Sequence, residues 1–139
     1  MNKYQEMKIR HEKESHAFPI QWAFTDEQFK RGMIELGLDP SETDKVVGVY
    51  GGGFMRKTDV DAFKEMLNRH DKGMKEAIAN DNTGEGFIYD MFDFELANHE
   101  YCITYDLEET LDALGISARD IENNDALKHG LMKAIEHQD

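Results

Sequence analysis

The chain of 139 residues has one cysteine, Cys102, and two prolines. A single thiol excludes an internal disulfide, so the fold must rest on a packed core. At this length one domain, 1–139, can bury such a core without staples. The serines are only Ser15, Ser41 and Ser117, and none sits in a Gly-x-Ser-x-Gly elbow, which excludes that form of nucleophilic catalysis. No apolar run approaches the roughly 20 residues a membrane helix needs. The opening MNKYQEMKIRHEKESH is charged throughout and lacks the apolar segment of a secretion signal. These absences lead to the expectation of a soluble cytoplasmic protein with no membrane contact. What is present argues against disorder, because 40% of the residues are hydrophobic and 10% aromatic.

A further absence is local. Residues 76–118 contain 11 acids and no lysine or arginine, whereas residues 1–75 carry 13 acids and 13 bases. Nearly all of the formal charge of −13 therefore sits in one block. Such a field repels nucleic acid, which excludes direct binding to it, and attracts basic surfaces. The plain alternative is a solvated acidic face that keeps a small protein in solution.

The pattern predicts an α+β fold, mainly α, with about five helices packed with one short β-hairpin. Residues 1–16 form a peripheral polar helix anchored by Tyr4, Met7 and Ile9. AFPIQWAF (17–24) is an extended link or kink, because Pro19 interrupts a helix. Thr25 reads as an N-cap, with Gln28 completing a capping box, and Gly37 as the stop of that helix. KVVGVYGGGFMRK carries the β signal, a hairpin over 46–56 turning at Gly51–Gly53. A glycine run can also cradle phosphate, but no GK[ST] follows it.

Residues 58–138 form the helical part. Thr58 is read as the cap of a helix with the stripe Val60, Phe63, Leu67, Met74 and Ile78. His70 lies on that stripe, either as a histidine at the core edge or as a ligand or base. Next comes TGEGFIYDMFDFELANHEYC (83–102), with five carboxylates and no basic side chain apart from His99. Asp106 caps a short helix with Leu107, Leu111 and Leu114, ended by Gly115. Ser117 starts ARDIENN, and Asp125 caps the last helix, which buries Leu127, Leu131 and Ile135. The rhythm of 106–122 suggests a helix-turn-helix, but only Arg119 is basic there, so an αα-hairpin is the better reading.

Three features of the chain bear on its chemistry. HEKESH places His11 and His16 five residues apart, about 140° around a helix, where a zinc-protease pair needs four residues and about 40°. Cys102 has carboxylates rather than cations near it in sequence, which fits an inert thiol. No dinucleotide fingerprint, EF-hand or kinase loop is present, so no metal or cofactor is expected. Projected as one helix, 87–103 has a wide apolar arc holding Phe87, Ile88, Met91, Phe92, Phe94, Leu96, Cys102 and Ile103. Asp90, Asp93 and Glu100 form a narrow outward stripe. Glu95 and His99 fall inside the apolar arc, one turn apart. A buried carboxylate is costly unless paired. Glu95 is therefore expected to meet His99, a tyrosine, Arg69 or His70. The functional alternative is a Glu95/His99 metal or acid/base pair assisted by His70, but it lacks a third identifiable ligand.

RKTDVDAFKEMLNRH (56–70), TGEGFIYDMFDFELANHEY (83–101) and DLEETLDALGI (106–116), with AFTDEQF (23–29) more faintly, resemble segments of a small protein family carried on mobile elements of gut bacteria. That family includes an anti-CRISPR protein that inhibits the RNA-guided DNA nuclease of type II CRISPR systems. The resemblance covers most of the chain after residue 55. It implies a non-enzymatic inhibitor that binds the nuclease, whose channels are basic because they hold nucleic acid. Charge position then nominates Asp90, Asp93, Glu100, Glu108, Glu109 and Asp112 as contact residues. The alternative is a mobile-element structural or interaction module with another basic partner, or with itself as a homodimer.

Overall fold

The computed structural model describes residues 1–138. In chain order, α1 (Lys3–Ala17) leads to β1 (Gln21–Trp22), α2 (Asp26–Glu35), β2 (Val46–Val49) and β3 (Gly53–Arg56). The helices α3 (Val60–Ala79), α4 (Phe87–Asn98), α5 (Tyr101–Thr104), α6 (Glu108–Leu114), α7 (Ala118–Glu122) and α8 (Asp125–Gln138) follow. The fold is thus mainly helical with a small antiparallel sheet. It differs in detail from the expected five helices and one hairpin: the described residues hold eight α-helices and three strands. Their contacts divide into two compact units, one of residues 1–10 with those from 72 onward, the other of residues 11–71.

The second unit is built on the sheet, in the order β1-β3-β2. The hairpin forms as its sequence predicts, with Val46 opposite Arg56 and Val49 opposite Gly53. Gly51 and Gly52 have φ near +90°, a conformation open to glycine at little cost, so the turn needs them. β1 is the strand the sequence concealed. It is only two residues long and exists through pairing, Gln21 with Phe54 and Trp22 with Gly53. Helix α2 covers the sheet and buries Met33 and Leu36 with Phe54. Gly32 is required there, since a Cβ would stand 2.6 Å from the Phe54 ring.

Thr25 caps α2, its Oγ1 accepting from Gln28 N–H at 3.2 Å. Gln28 Oε1 reaches back one residue further than a capping box, to Phe24 N–H at 2.7 Å. Gly37 (φ 79°) ends the helix: its N–H reaches Ile34 O and that of Leu38 reaches Met33 O, both at 2.9 Å.

The cap and stripe predicted for α3 need correction. Thr58 lies inside a 3-10 turn, Lys57–Asp59, and is therefore not the residue that precedes α3. Asp59 is taken by Arg56 Nε at 2.9 Å, and the α-helix begins at Val60. Leu67 points outward, 45% exposed, and Met66 is buried instead.

The first unit is organised by α4 packed on α8. Ile88, Met91, Phe92 and Leu96 of α4 are fully buried with Leu127, Leu131 and Ala134 of α8, and Tyr4 of α1 joins them. Each of the large side chains removed from water contributes about 1.5–3 kcal/mol. The two helices approach closely because Gly130 faces Ile88. Asn124, not Asp125, caps α8, its Oδ1 accepting from Leu127 N–H at 3.1 Å. Ser117 and Asp120 form a reciprocal capping box on α7, and Gly115 ends α6 as read.

Candidate protein-binding surface

The acidic block begins where α3 ends. Asp81 lies in the connecting turn and organises the start of α4. Its carboxylate accepts from Gly84 N–H at 3.0 Å, Gly86 N–H at 3.1 Å and Ile88 N–H at 2.9 Å. Burial alone would raise the Asp81 carboxyl, but these three donors outweigh it and hold it below the ordinary range. Glu85 pairs with Lys133, which lowers its carboxyl, and His129 stands 3.7 Å away.

The structure divides the expected outward stripe of α4. Asp93 is engaged by α8: its Oδ1 lies 2.6 Å from His137 Nδ1 and accepts from Gln138 Nε2 at 2.9 Å. Asp90 is half-buried beside it and pairs with no lysine or arginine among the described residues. Burial, then Asp93 and Asp81, push its carboxyl above the ordinary range. Asp81 and Asp90 line an open groove of about 630 Å³ together with Lys3, Asn80 and Phe87.

Glu100 does not continue the stripe, because the helix stops at Asn98. His99 N–H closes the last turn on Glu95 O at 3.0 Å, and Glu100 takes a left-handed conformation, φ 56°. One turn later Tyr105 does the same, φ 54°. Each such non-glycine residue costs about 1–2 kcal/mol. The break also corrects the apolar arc: Cys102 is exposed, and Ile103 is 71% exposed instead of buried. The projection failed here because nothing in NHEYCIT breaks a helix locally.

Glu95 does point inward, 1% exposed, as its place in the arc requires. Its partner is Lys8, whose Nζ donates to Oε1 at 2.9 Å and lies 5.1 Å from the centre of the Phe94 ring. His99 Nε2 is 3.9 Å from Glu95 Oε2 and buried without a hydrogen bond, while His99 Nδ1 is 3.6 Å from Glu109 Oε2. Arg69 and His70 serve Glu14 instead. Arg69 Nη1 donates to Glu14 Oε2 at 3.2 Å. His70 Nε2 stands 3.5 Å from the same oxygen, and its ring stacks on His11 at 4.0 Å. Lys8 carries one sequence signal in hindsight: it lies four residues after Tyr4, on the face of α1 that enters the core.

From the start of α5 onward the carboxylates face water. Glu100, Glu108, Glu109 and Asp112 are exposed, and none pairs with a lysine or arginine among the described residues. Asp106 Oδ1 accepts Glu108 N–H at 2.9 Å at the start of α6. The surface therefore offers carboxylates without an internal lysine or arginine, Glu109 alone having the His99 ring beside it, a chemistry suited to guanidinium and ammonium groups. Among the described residues no three His, Cys, Asp or Glu side chains gather as a metal site, and no helix is long and apolar enough to cross a membrane.

A family model matches residues 3–137, almost the whole chain. The chain belongs to the family of unknown function DUF7659. No curated protein and no solved structure matches it. Membership in DUF7659 spans both units, so the acidic surface lies within the region the family model matches.

Proposed function

We propose that the protein is a non-enzymatic acidic inhibitor that binds a type II RNA-guided DNA nuclease in the cytoplasm. The observation that carries this reading is the exposed carboxylate surface of 100–112, which lacks internal cations. The resemblance of 56–70, 83–101 and 106–116 to the anti-CRISPR-containing family supplies the partner. A nuclease that holds nucleic acid presents arginine and lysine sites shaped for phosphate, and surface carboxylates compete for them. Charge attraction also speeds the encounter. Asp90, Glu100, Glu108, Glu109 and Asp112 make the contacts, and Asp93 contributes by holding the end of α8. The test is purified protein mixed with guide-free nuclease, with guide RNA and target DNA added afterwards to read cleavage. Co-elution and loss of target cleavage are expected. Neither occurring across several type II nucleases overturns the reading.

A second reading, an interaction module of a mobile element, is favoured by a different feature. Trp22, Phe24 and Tyr50 are all exposed, and the Trp22 and Phe24 rings cover the Gly51–Gly53 turn. Clustered exposed aromatics mark protein contact sites. A dimer by light scattering, with no nuclease inhibition, decides for this reading.

A further inference from the structure

Helix α5 is a single turn held between two left-handed residues, Glu100 and Tyr105. Ile103 N–H and Thr104 N–H both reach Glu100 O, at 2.9 and 3.1 Å, and Tyr105 N–H reaches Tyr101 O at 2.8 Å. Tyr101 packs against the core and meets the Tyr105 ring edge-on, with centroids 5.9 Å apart. The turn is thus fixed from inside, and beside Cys102 and Thr104 it presents two large apolar side chains outward, Ile103 at 71% and Tyr105 at 69% exposure. Two bulky side chains in a backbone that costs energy to hold do little for the core they have left. Strain of this kind persists where surrounding structure enforces it and collects at functional sites.

The charge around the turn selects the occupant. Glu100, Asp106, Glu108 and Glu109 flank Ile103 and Tyr105, with no lysine or arginine anywhere in 76–118. Nucleic acid and anionic lipid are repelled by that rim. A second copy docking by the same patch would bring identical carboxylates face to face, because a two-fold contact is self-complementary in position. A basic protein surface satisfies both features.

We propose that α5 with Tyr105 is an anchoring knob: Ile103 and Tyr105 enter an apolar recess on a basic partner protein, and Glu100, Asp106, Glu108 and Glu109 pair with the lysine and arginine around it. The inference rests on the acidic-inhibitor reading only in requiring a basic protein partner. It adds an apolar anchor that charge alone does not supply, in the way a few buried residues dominate an interface inside a polar rim.

Two probes keep the anchor and the nuclease identity separable. The first is guide-free type II nuclease titrated with wild type, Ile103→Ala/Tyr105→Ala, Glu108→Lys/Glu109→Lys, and Leu67→Ala as an exposed control. The anchor variant is expected to lose about tenfold or more in affinity at both low and high salt. The charge variant is expected to lose most at low salt, and the control nothing. Wild-type binding that the anchor variant retains in full overturns the knob and leaves the inhibitor reading standing. The second probe needs no nuclease: a random peptide library panned on the whole chain, with the selected peptides mapped by amide resonance shifts. Enrichment of peptides that combine basic with apolar residues, shift residues 100–109 and fail on Ile103→Ala/Tyr105→Ala is expected. No enrichment, or peptides that map elsewhere, overturns the knob even if the nuclease is bound.

Discussion

Glu95 is the residue whose environment most constrains the protein, since a carboxylate 1% exposed has Lys8 Nζ as its close cationic donor. Removing one member of a buried pair leaves the other uncompensated. Lys8→Ala is expected to cost about 2–3 kcal/mol in urea unfolding, less than for a fully buried pair because the lysine side chain is 31% exposed. Lys8→Met with Glu95→Leu is expected to recover most of that loss, because two apolar chains fill the space without a desolvated charge. A double variant as unstable as the single would show that the pair is not what holds α1 to α4. Two aspartates of the groove are expected to respond oppositely to pH. The folded-state carboxyl of Asp81 is lowered by its backbone donors, so its stabilisation is present above the unfolded value, about 3.9, and fades as pH falls through the folded one. Asp81→Ala is expected to cost about 1–2 kcal/mol at pH 7, as loss of a helix cap does. The Asp90 carboxyl is raised by burial and by like charge, so its ionised form disfavours the fold above the folded value, and the penalty vanishes below about 3.9. Asp90→Asn is therefore expected to stabilise the protein at pH 7 and to do nothing near pH 3.5, while weakening any contact that Asp90 makes.

At the scale of elements, two helical glycines separate packing from propensity. Gly73 on α3 has open space where a Cβ would go, and Gly130 on α8 has Ile88 Cγ2 at 2.5 Å and Gly84 O at 2.6 Å. Alanine is favoured over glycine in a helix by about 1 kcal/mol. Gly73→Ala is expected to stabilise the fold by about 0.5–1 kcal/mol, and Gly130→Ala to destabilise it by about 1–3 kcal/mol as α4 and α8 are forced apart. Equal effects in denaturant melts would mean that the close approach of the two helices is not tightly fixed. The same division between local and distant causes explains which elements were legible in the sequence. The stops at Gly37 and Gly115, the cap at Thr25 and the helix start at Ser117 are chemistry within a few residues, and they appear where the sequence puts them. The hairpin was legible too, because its glycines are needed at positive φ. β1 was not, since two residues become a strand only by pairing with β3 some thirty positions away. Nor was the partner of Glu95, 87 residues distant in the chain. The break at Glu100 was hidden for a third reason: glutamate is a good helix former, so a left-handed residue there reflects packing on either side and not its own preference. The inward place of Glu95 was legible, and the outward place of Ile103 was not, because the periodicity continues across a helix that does not.

For the whole molecule the deciding quantity is charge, −13 on 139 residues and concentrated in one block. Two opposing effects follow when salt is added. Exposed ion pairs such as Lys133 with Glu85 and Lys72 with Glu76 weaken, but each is worth only about 0–1 kcal/mol. Repulsion among the carboxylates of 76–118 also weakens, and it acts between many charges at once over a screening length of about 30 Å at 0.01 M that shrinks to about 3 Å at 1 M. Lys8 with Glu95 lies too deep to be screened much. Repulsion should win, so the melting temperature is expected to rise with sodium chloride, by about 3–4 °C for each kcal/mol of relieved repulsion in a chain of this length. Chloride is the salt to use, because sulfate strengthens apolar burial in any protein and would give a rise without informing on charge. The triple reversal Glu108→Lys, Glu109→Lys and Asp112→Lys supplies the matching arm. It should raise the melting temperature at low salt, flatten the response to salt, and weaken association with a basic partner. A melting temperature that falls with chloride would mean that internal ion pairs outweigh the repulsion. The acidic surface would then be holding this fold together, and its carboxylates would not be free for a partner's cations.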